Sequence, residues 1–279
     1  MAYITFRNFG SSGDLGSQIM TYAALYAISK ETGKKIASRE SEAYTRWGVK
    51  VANLFNLDYE TKPDYFFHDF VSIIHNMSKP TDPVVFALDP DTNYEFVHLF
   101  PTYHYFHENH KESIDKWLWK VDIEKKAVQL YNSVKQVGKE MVSIHVRRGD
   151  YLLQGNDHFC KLDQRYYGQA LEYFIPNIEK YHFLVFSNDI DWCKDNLISG
   201  EMVTFMDCGI DYVDLATMSM CDHNIIANST FSWWAAYLNK NVNKIVVCPT
   251  NYIKSYSEFS FLNTRYYLPQ WKNIDNETE

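Results

Sequence analysis

The sequence predicts an α/β protein with parallel sheets in two domains. Three observations carry that prediction. Apolar runs at 141–146, 182–187, 202–206, 224–227 and 244–248 alternate with helix-period segments near 164–180, 190–198, 211–221 and 230–239. Unbroken apolar strands separated by helices of that length mark βαβ units, whose sheets are covered on both faces. The N-terminal end starts the same way, with strand, loop, helix and strand in turn. Finally, 279 residues suffice for one large domain or two modest ones.

Taken in order, Tyr3 to Arg7 reads as a first strand, and Asn8 to Asp14 as a loop with Gly10 and Gly13. A helix follows near 15–32, stopped by Gly33 after a basic last turn, and a strand near 35–38 comes next. Residues 40–120 are rich in aromatics and carry Pro63, Pro80, Pro83, Pro90 and Pro101, so short elements and long loops are expected there. A helix near 122–138 leads to the second domain. The expected division is therefore 1–138 and 139–279, with a last helix packing back on the first domain. No repeat or low-complexity linker separates the halves, so they are expected to pack around a cleft. Ligands of such Rossmann-like domains sit beyond the carboxyl ends of the strands.

Composition excludes several classes. A hydrophobic content of 46% can build sizeable cores, while a net charge of −8 argues against nucleic acid or an anionic membrane as partner. Cys160, Cys193, Cys208, Cys221 and Cys248 include no CxxC pair, so neither zinc nor a disulfide framework is indicated, and reduced thiols of a cytosolic protein are expected. The N-terminus lacks the pattern of a signal peptide, and no run reaches the ~18 apolar residues of a membrane span. A soluble, cytoplasmic protein is expected, at most peripheral to a membrane. The glycosylation triplets at Asn76, Asn228 and Asn276 are then coincidental.

Chemistry gathers at three strand ends. The apolar run ending at Val146 leads directly into Arg147 and Arg148, followed by Asp150. Two adjacent guanidiniums repel and need anionic partners. A pyrophosphate would satisfy both, and a plain surface pairing with Asp150 is the alternative. After 224–227 come Asn228, Ser229, Thr230, Phe231 and Ser232, opening a helix. Hydroxyls in a first turn can cradle an anion or merely cap. After 182–187 come Ser187, Asn188 and Asp189, on the binding edge of a parallel sheet or as caps. The loop from Gly10 to Gly16 matches neither GxGxxG nor a Walker A loop. Asp189 and Asp191 are spaced like a metal-bridging pair but stand at a helix start, so no metal is expected. Jointly the clusters point to a nucleoside diphosphate held by arginine and hydroxyl groups.

These residues resemble the inverting α-1,2-fucosyltransferases of glycosyltransferase family 11, over nearly the whole chain. The family's His-x-Arg-Arg-x-Asp motif is matched by His145, Arg147, Arg148 and Asp150. A second motif is recognisable in Phe186 to Trp192, and a third in Met218 to Trp234. The resemblance implies a GT-B fold, two Rossmann-like domains facing across a cleft, with GDP-β-L-fucose in the C-terminal one. It implies Arg147, Arg148 and Asp150 as catalytic residues, with Arg147 on the departing β-phosphate. It places His145, Ser187, Asn188, Asp189, Asn228, Ser229, Thr230, Phe231 and Ser232 around the donor. The family's N-terminal Gly-Gly-Leu-Gly-Asn-Gln is Ser12 to Gln18 here, with Asp14 inserted and Ser17 for Asn. Gly13, Asp14, Gly16 and Gln18 would then meet donor or acceptor. Asn188 and Asp222 also depart from the usual acidic and basic residues.

The implied reaction is displacement of GDP by O2 of a β-galactose, with inversion and without a metal or other cofactor. Asp14, Asp157 and His158 are loop candidates for a base, while Asp150 is more readily a partner of the arginines. Two alternatives stay open: another GDP-deoxyhexose donor, or a catalytically silent sugar-binding protein. Aromatics within 64–106, such as Tyr65, Phe66, Tyr94 and Tyr103, could stack on an acceptor or simply pack. Family habit suggests synthesis of a surface polysaccharide or lipid-linked oligosaccharide at the inner face of a membrane.

Overall fold

The computed structural model describes residues 1–11, 13–45 and 48–276. Ser12 of the glycine loop, and Glu277 and Thr278 of the last glycosylation triplet, lie outside the described residues. The chain forms two compact units, Met1–Lys120 and Val121–Glu279.

In the first unit β1 (Tyr3–Phe6), α1 (Leu15–Thr32) and β2 (Lys35–Arg39) stand where the sequence puts them. Asp14 caps α1 by accepting from the Leu15 N–H, and Gly33 ends it in the left-handed region with φ 71°, its N–H on the Ser29 carbonyl. There follow α2 (Val51–Leu54), β3 (Glu60–Lys62), β4 (Val71–Ile73), β5 (Tyr94–Phe96) and α3 (His107–Ile114). The sheet runs β3-β2-β1-β5-β4, with every pairing parallel. Ile19, Ala23 and Ile28 of α1 are buried, as are Ile4 and Phe6 of β1.

The second unit comprises α4 (Val121–Val134), β6 (Glu140–Val146), α5 (Gln164–Leu171), β7 (Tyr181–Ser187), α6 (Ile190–Asn196), β8 (Val203–Met206), α7 (Asp211–Ser219), β9 (His223–Ile225), α8 (Thr230–Leu238), β10 (Val246–Pro249) and β11 (Lys272–Ile274). Its sheet is also parallel throughout, in the order β11-β10-β9-β6-β7-β8. Counted from β6, that is the doubly wound order 3-2-1-4-5-6, whose winding reverses between β6 and β9. Two parallel α/β units agree with the GT-B class. The second core joins Val142, Ile144 and Val146 of β6 to Phe183 and Val185 of β7, Ile225 of β9 and Val247 of β10.

Three details differ from the sequence reading. The units divide after Lys120, not near 138, because α4 belongs with the second: Leu130, Tyr131 and Val134 pack on a cluster of Met141, Leu184, Phe186 and Met218. The expected helix 164–180 stops at Leu171, and a separate 3-10 turn with Pro176 in its first turn covers Ile175–Lys180. Proline lacks the N–H that a continuing helix would need. Among the described residues the chain ends in no helix. Its last element is β11, which extends the second sheet beside β10.

Candidate active site

The winding reverses between β6 and β9, the place where sheets of this kind bind their ligands, and two of the three motifs meet beyond the carboxyl ends of those strands. His145 lies in β6, with its ring 5.3 Å from that of Phe231 in the first turn of α8. Tyr151 donates from Oη to the Asn228 carbonyl over 2.9 Å. Burial, helped by the nearby Arg147 charge, pushes the His145 imidazole down to about 3, so the ring is neutral at physiological pH. A neutral ring can donate or accept at a ligand but brings no charge to a phosphate.

The two arginines are held differently. Arg147 places Nη2 2.9 Å from Asp150 Oδ1 and its guanidinium 5.6 Å from the Tyr151 ring centre. Among the described residues its Nε is buried without a hydrogen-bond partner, and so are His145 Nδ1 and Asn228 Oδ1. Unpaired buried polar atoms are costly, and each one in a folded protein calls for an explanation. Arg148, by contrast, bonds Asp189 Oδ2 through Nε at 2.9 Å and stacks over Trp192 at 4.0 Å. This hydrogen bond, first among the causes, holds the Asp189 carboxyl below its ordinary range.

The hydroxyls expected to form a phosphate cradle divide by role. Ser229 is the N-cap of α8, its Oγ accepting from the Phe231 N–H. Ser232 is fully buried, and its hydroxyl turns back to the Ala227 and Ser229 carbonyls at 3.4 Å. Thr230 is half-buried at the helix start. Asn228 is fully buried, and its Nδ2 ties the Cys160 and Tyr252 carbonyls, at 2.8 and 2.9 Å, to the end of β9. Ser187 accepts from the Asp189 N–H, and Asn188 Oδ1 accepts from the Arg148 N–H.

The base candidates are engaged as well. Asp150 is tethered to Arg147, and Asp157 pairs with Lys161 at 3.2 Å. The His158 ring lies 4.2 Å from that of Phe159, which in turn stacks on Tyr151 at 4.2 Å. In the first unit Asp14 pairs with Lys50 at 2.7 Å. Gly13 adopts φ +99°, and a Cβ there would meet the Ser17 side chain at 2.8 Å. Gly16 is buried in the first turn of α1. Gln18, fully buried, donates to the Gly48 carbonyl and accepts from the Val51 N–H, so it braces the loops of its own unit.

Several contributors were not foreseen. Tyr166 and Tyr167 of α5 donate to the Ile226 and His145 carbonyls at 2.6 and 3.2 Å, fixing the strand ends that carry the motifs. Two tyrosines on the apolar face of a helix were the available signal. Glu42, buried under the first loop, accepts from the Phe9 and Arg39 N–H groups, and burial raises its carboxyl to about 7. Nothing in its local sequence marks it.

Among the described residues no helix is long and apolar enough to cross a membrane, and no three His, Cys, Asp or Glu side chains are grouped to hold a metal ion.

The model of glycosyl transferase family 11 matches residues 7–275. An α-1,2-colitosyltransferase of Escherichia coli is 29% identical over 264 residues, spanning 86% of this chain and 89% of that protein. Galactoside α-(1,2)-fucosyltransferase 2 of Gorilla gorilla gorilla is 27% identical over 278 residues, 94% of this chain and 77% of that protein. A crystal structure of POFUT1 in complex with GDP-fucose shares the fold, with a TM-score of 0.55 at 12% identity over 87% of this chain and 95% of that one.

Proposed function

The chain belongs to glycosyl transferase family 11, and from that membership we propose that it moves L-fucose from GDP-β-L-fucose to O2 of a terminal β-galactose. The α-1,2 linkage formed would serve surface polysaccharide or oligosaccharide synthesis. The observation that carries this reading is Arg147, just beyond the end of β6 at the winding reversal, with a buried Nε that no group among the described residues satisfies. A departing pyrophosphate is the ligand such a group suits. Its charge develops as the glycosidic bond breaks, so a guanidinium already in place stabilises the transition state more than the ground state. The positive end of the α8 dipole acts in the same sense.

Each part of the site then has a step. His145, neutral, orients the nucleotide through Nδ1. Asp150 tethers Arg147, which fixes the guanidinium but removes Asp150 from the role of base. Fucose, a 6-deoxy sugar, leaves with strong oxocarbenium character, so the acceptor hydroxyl needs little deprotonation before it attacks. The acceptor oxygen bonds the anomeric carbon as the carbon–phosphate oxygen bond breaks, the hydroxyl proton passes to solvent or a nearby base, and configuration inverts from β to α. Arginine and the helix start meet the pyrophosphate charge, so the reading includes turnover without a divalent cation.

GDP release from GDP-fucose with a panel of β-galactosides, in the presence of EDTA, tests the proposal. Acceptor-dependent release is expected, and it should fall by about 10²–10³-fold in Arg147→Ala. Unchanged turnover in the variant, or turnover abolished by EDTA, would contradict the reading. A second donor is favoured by the colitosyltransferase relative: release from a GDP-3,6-dideoxyhexose in preference to GDP-fucose would replace fucose in the proposal and keep the rest.

A further inference from the structure

The β7–α6 turn, expected from the sequence to touch the donor, is packed against the arginine loop. Asn188 Oδ1 accepts from the Arg148 N–H at 3.0 Å, and Asp189 Oδ2 holds Arg148 Nε at 2.9 Å. Trp192 lies under the guanidinium at 4.0 Å. A Cβ on Gly149 would stand 2.1 Å from Asn188 Nδ2 and 3.0 Å from its Cγ, so the backbone after Arg148 rests directly on that amide. The turn itself is rigidly founded. Asp189 Oδ1 caps α6 through the Trp192 N–H, and the Asp189 N–H is held by Ser187 Oγ. Behind it, β7 is paired with β6 in unbroken register from Glu140↔Tyr181 to Val146↔Ser187.

We propose that this turn is a clamp: Asn188, Asp189 and Trp192 are positioning residues that act through Arg148 and Gly149 to place Arg147, and are not ligands of the donor. The proposal rests on the reading of Arg147 given above. Fixing the amide and guanidinium of residue 148 and the backbone of residue 149 leaves Arg147 little beyond its own side-chain torsions. A leaving-group ligand displaced by roughly 1 Å can lose on the order of 10²-fold in rate. The clamp also explains why residue 148 is arginine. Only a planar guanidinium can bond a carboxylate edge-on while its face lies on an indole, which a lysine ammonium cannot reproduce.

Three variants of the full chain test this: Trp192→Leu, Trp192→Phe and Asp189→Asn. Asn caps helices as well as Asp, so the last removes the charge and keeps the cap. The readouts are steady-state transfer and amide hydrogen exchange across 147–152. In Trp192→Leu and Asp189→Asn, kcat should fall roughly tenfold or more while the donor KM stays within about threefold. Exchange across 147–152 should quicken in both. Trp192→Phe keeps an aromatic face and should restore most of kcat. A raised donor KM or weakened GDP binding with kcat intact would overturn the proposal by making these residues donor ligands. Unchanged exchange in both disruptive variants would overturn it whichever donor is correct. If the wild-type protein fails to use GDP-fucose, faster exchange in both variants still upholds the clamp.

Discussion

Arg147 and Arg148 are neighbours in sequence that each pair with a carboxylate at 2.9 Å, but Asp189 satisfies the Nε of Arg148 while that of Arg147 stays without a partner among the described residues. The pair itself was legible because two charges directly after a buried strand demand an explanation. Their different surroundings were not, since the groups that satisfy Arg148 come from Asp189 and Trp192 on the next strand-to-helix turn, 41 residues away and more. His145 illustrates another limit: its position in the motif was plain, but its neutrality follows from burial that only the folded packing creates. A consequence for stability has a definite sign. The folded-state value lies far below the ordinary 6.5, so the unfolded chain takes up a proton that the folded one refuses as pH falls. His145 therefore contributes stability above pH 6.5 and loses it progressively toward its folded value. Between pH 6.5 and 5 the loss should be roughly 1–2 kcal/mol, read by urea unfolding. His145→Phe should lack that part of the slope, and parallel pH curves for variant and wild type would contradict the assignment.

At the scale of elements, the long helices and apolar strands were legible because their periodicity reports burial directly. The three-residue strands β3, β4 and β5 carry too few positions for any period, and β11 reads as polar Lys272 and Asn273 with a single Ile274. The short strand β9 likewise needs support beyond its own length, and Asn228 supplies it. From its buried position that side chain joins the Cys160 and Tyr252 carbonyls, and so two loops, to the start of α8. Asn228→Ala should cost roughly 2–4 kcal/mol in chemical denaturation, because two carbonyls lose their donor. A cost under about 0.5 kcal/mol, the level of a neutral surface change, would show that the loops do not depend on it.

For the molecule as a whole, the topology explains why motifs far apart in sequence share one site. In the order β11-β10-β9-β6-β7-β8 the winding reverses between β6 and β9, so the strand that carries His145 and the strand that leads into Asn228 end side by side. That two units of parallel sheet would form was readable from the alternation of strand and helix. Where they divide was not, because α4 is amphipathic and the sequence does not reveal which core its apolar face joins. The most direct measurement of the central claim is the structure of the product. NMR of the disaccharide unit formed from GDP-β-L-fucose and a β-galactoside should show an α-anomeric fucose attached at galactose O2. A β-linked product, or attachment at another galactose oxygen, would contradict the inverting α-1,2 transfer set out here.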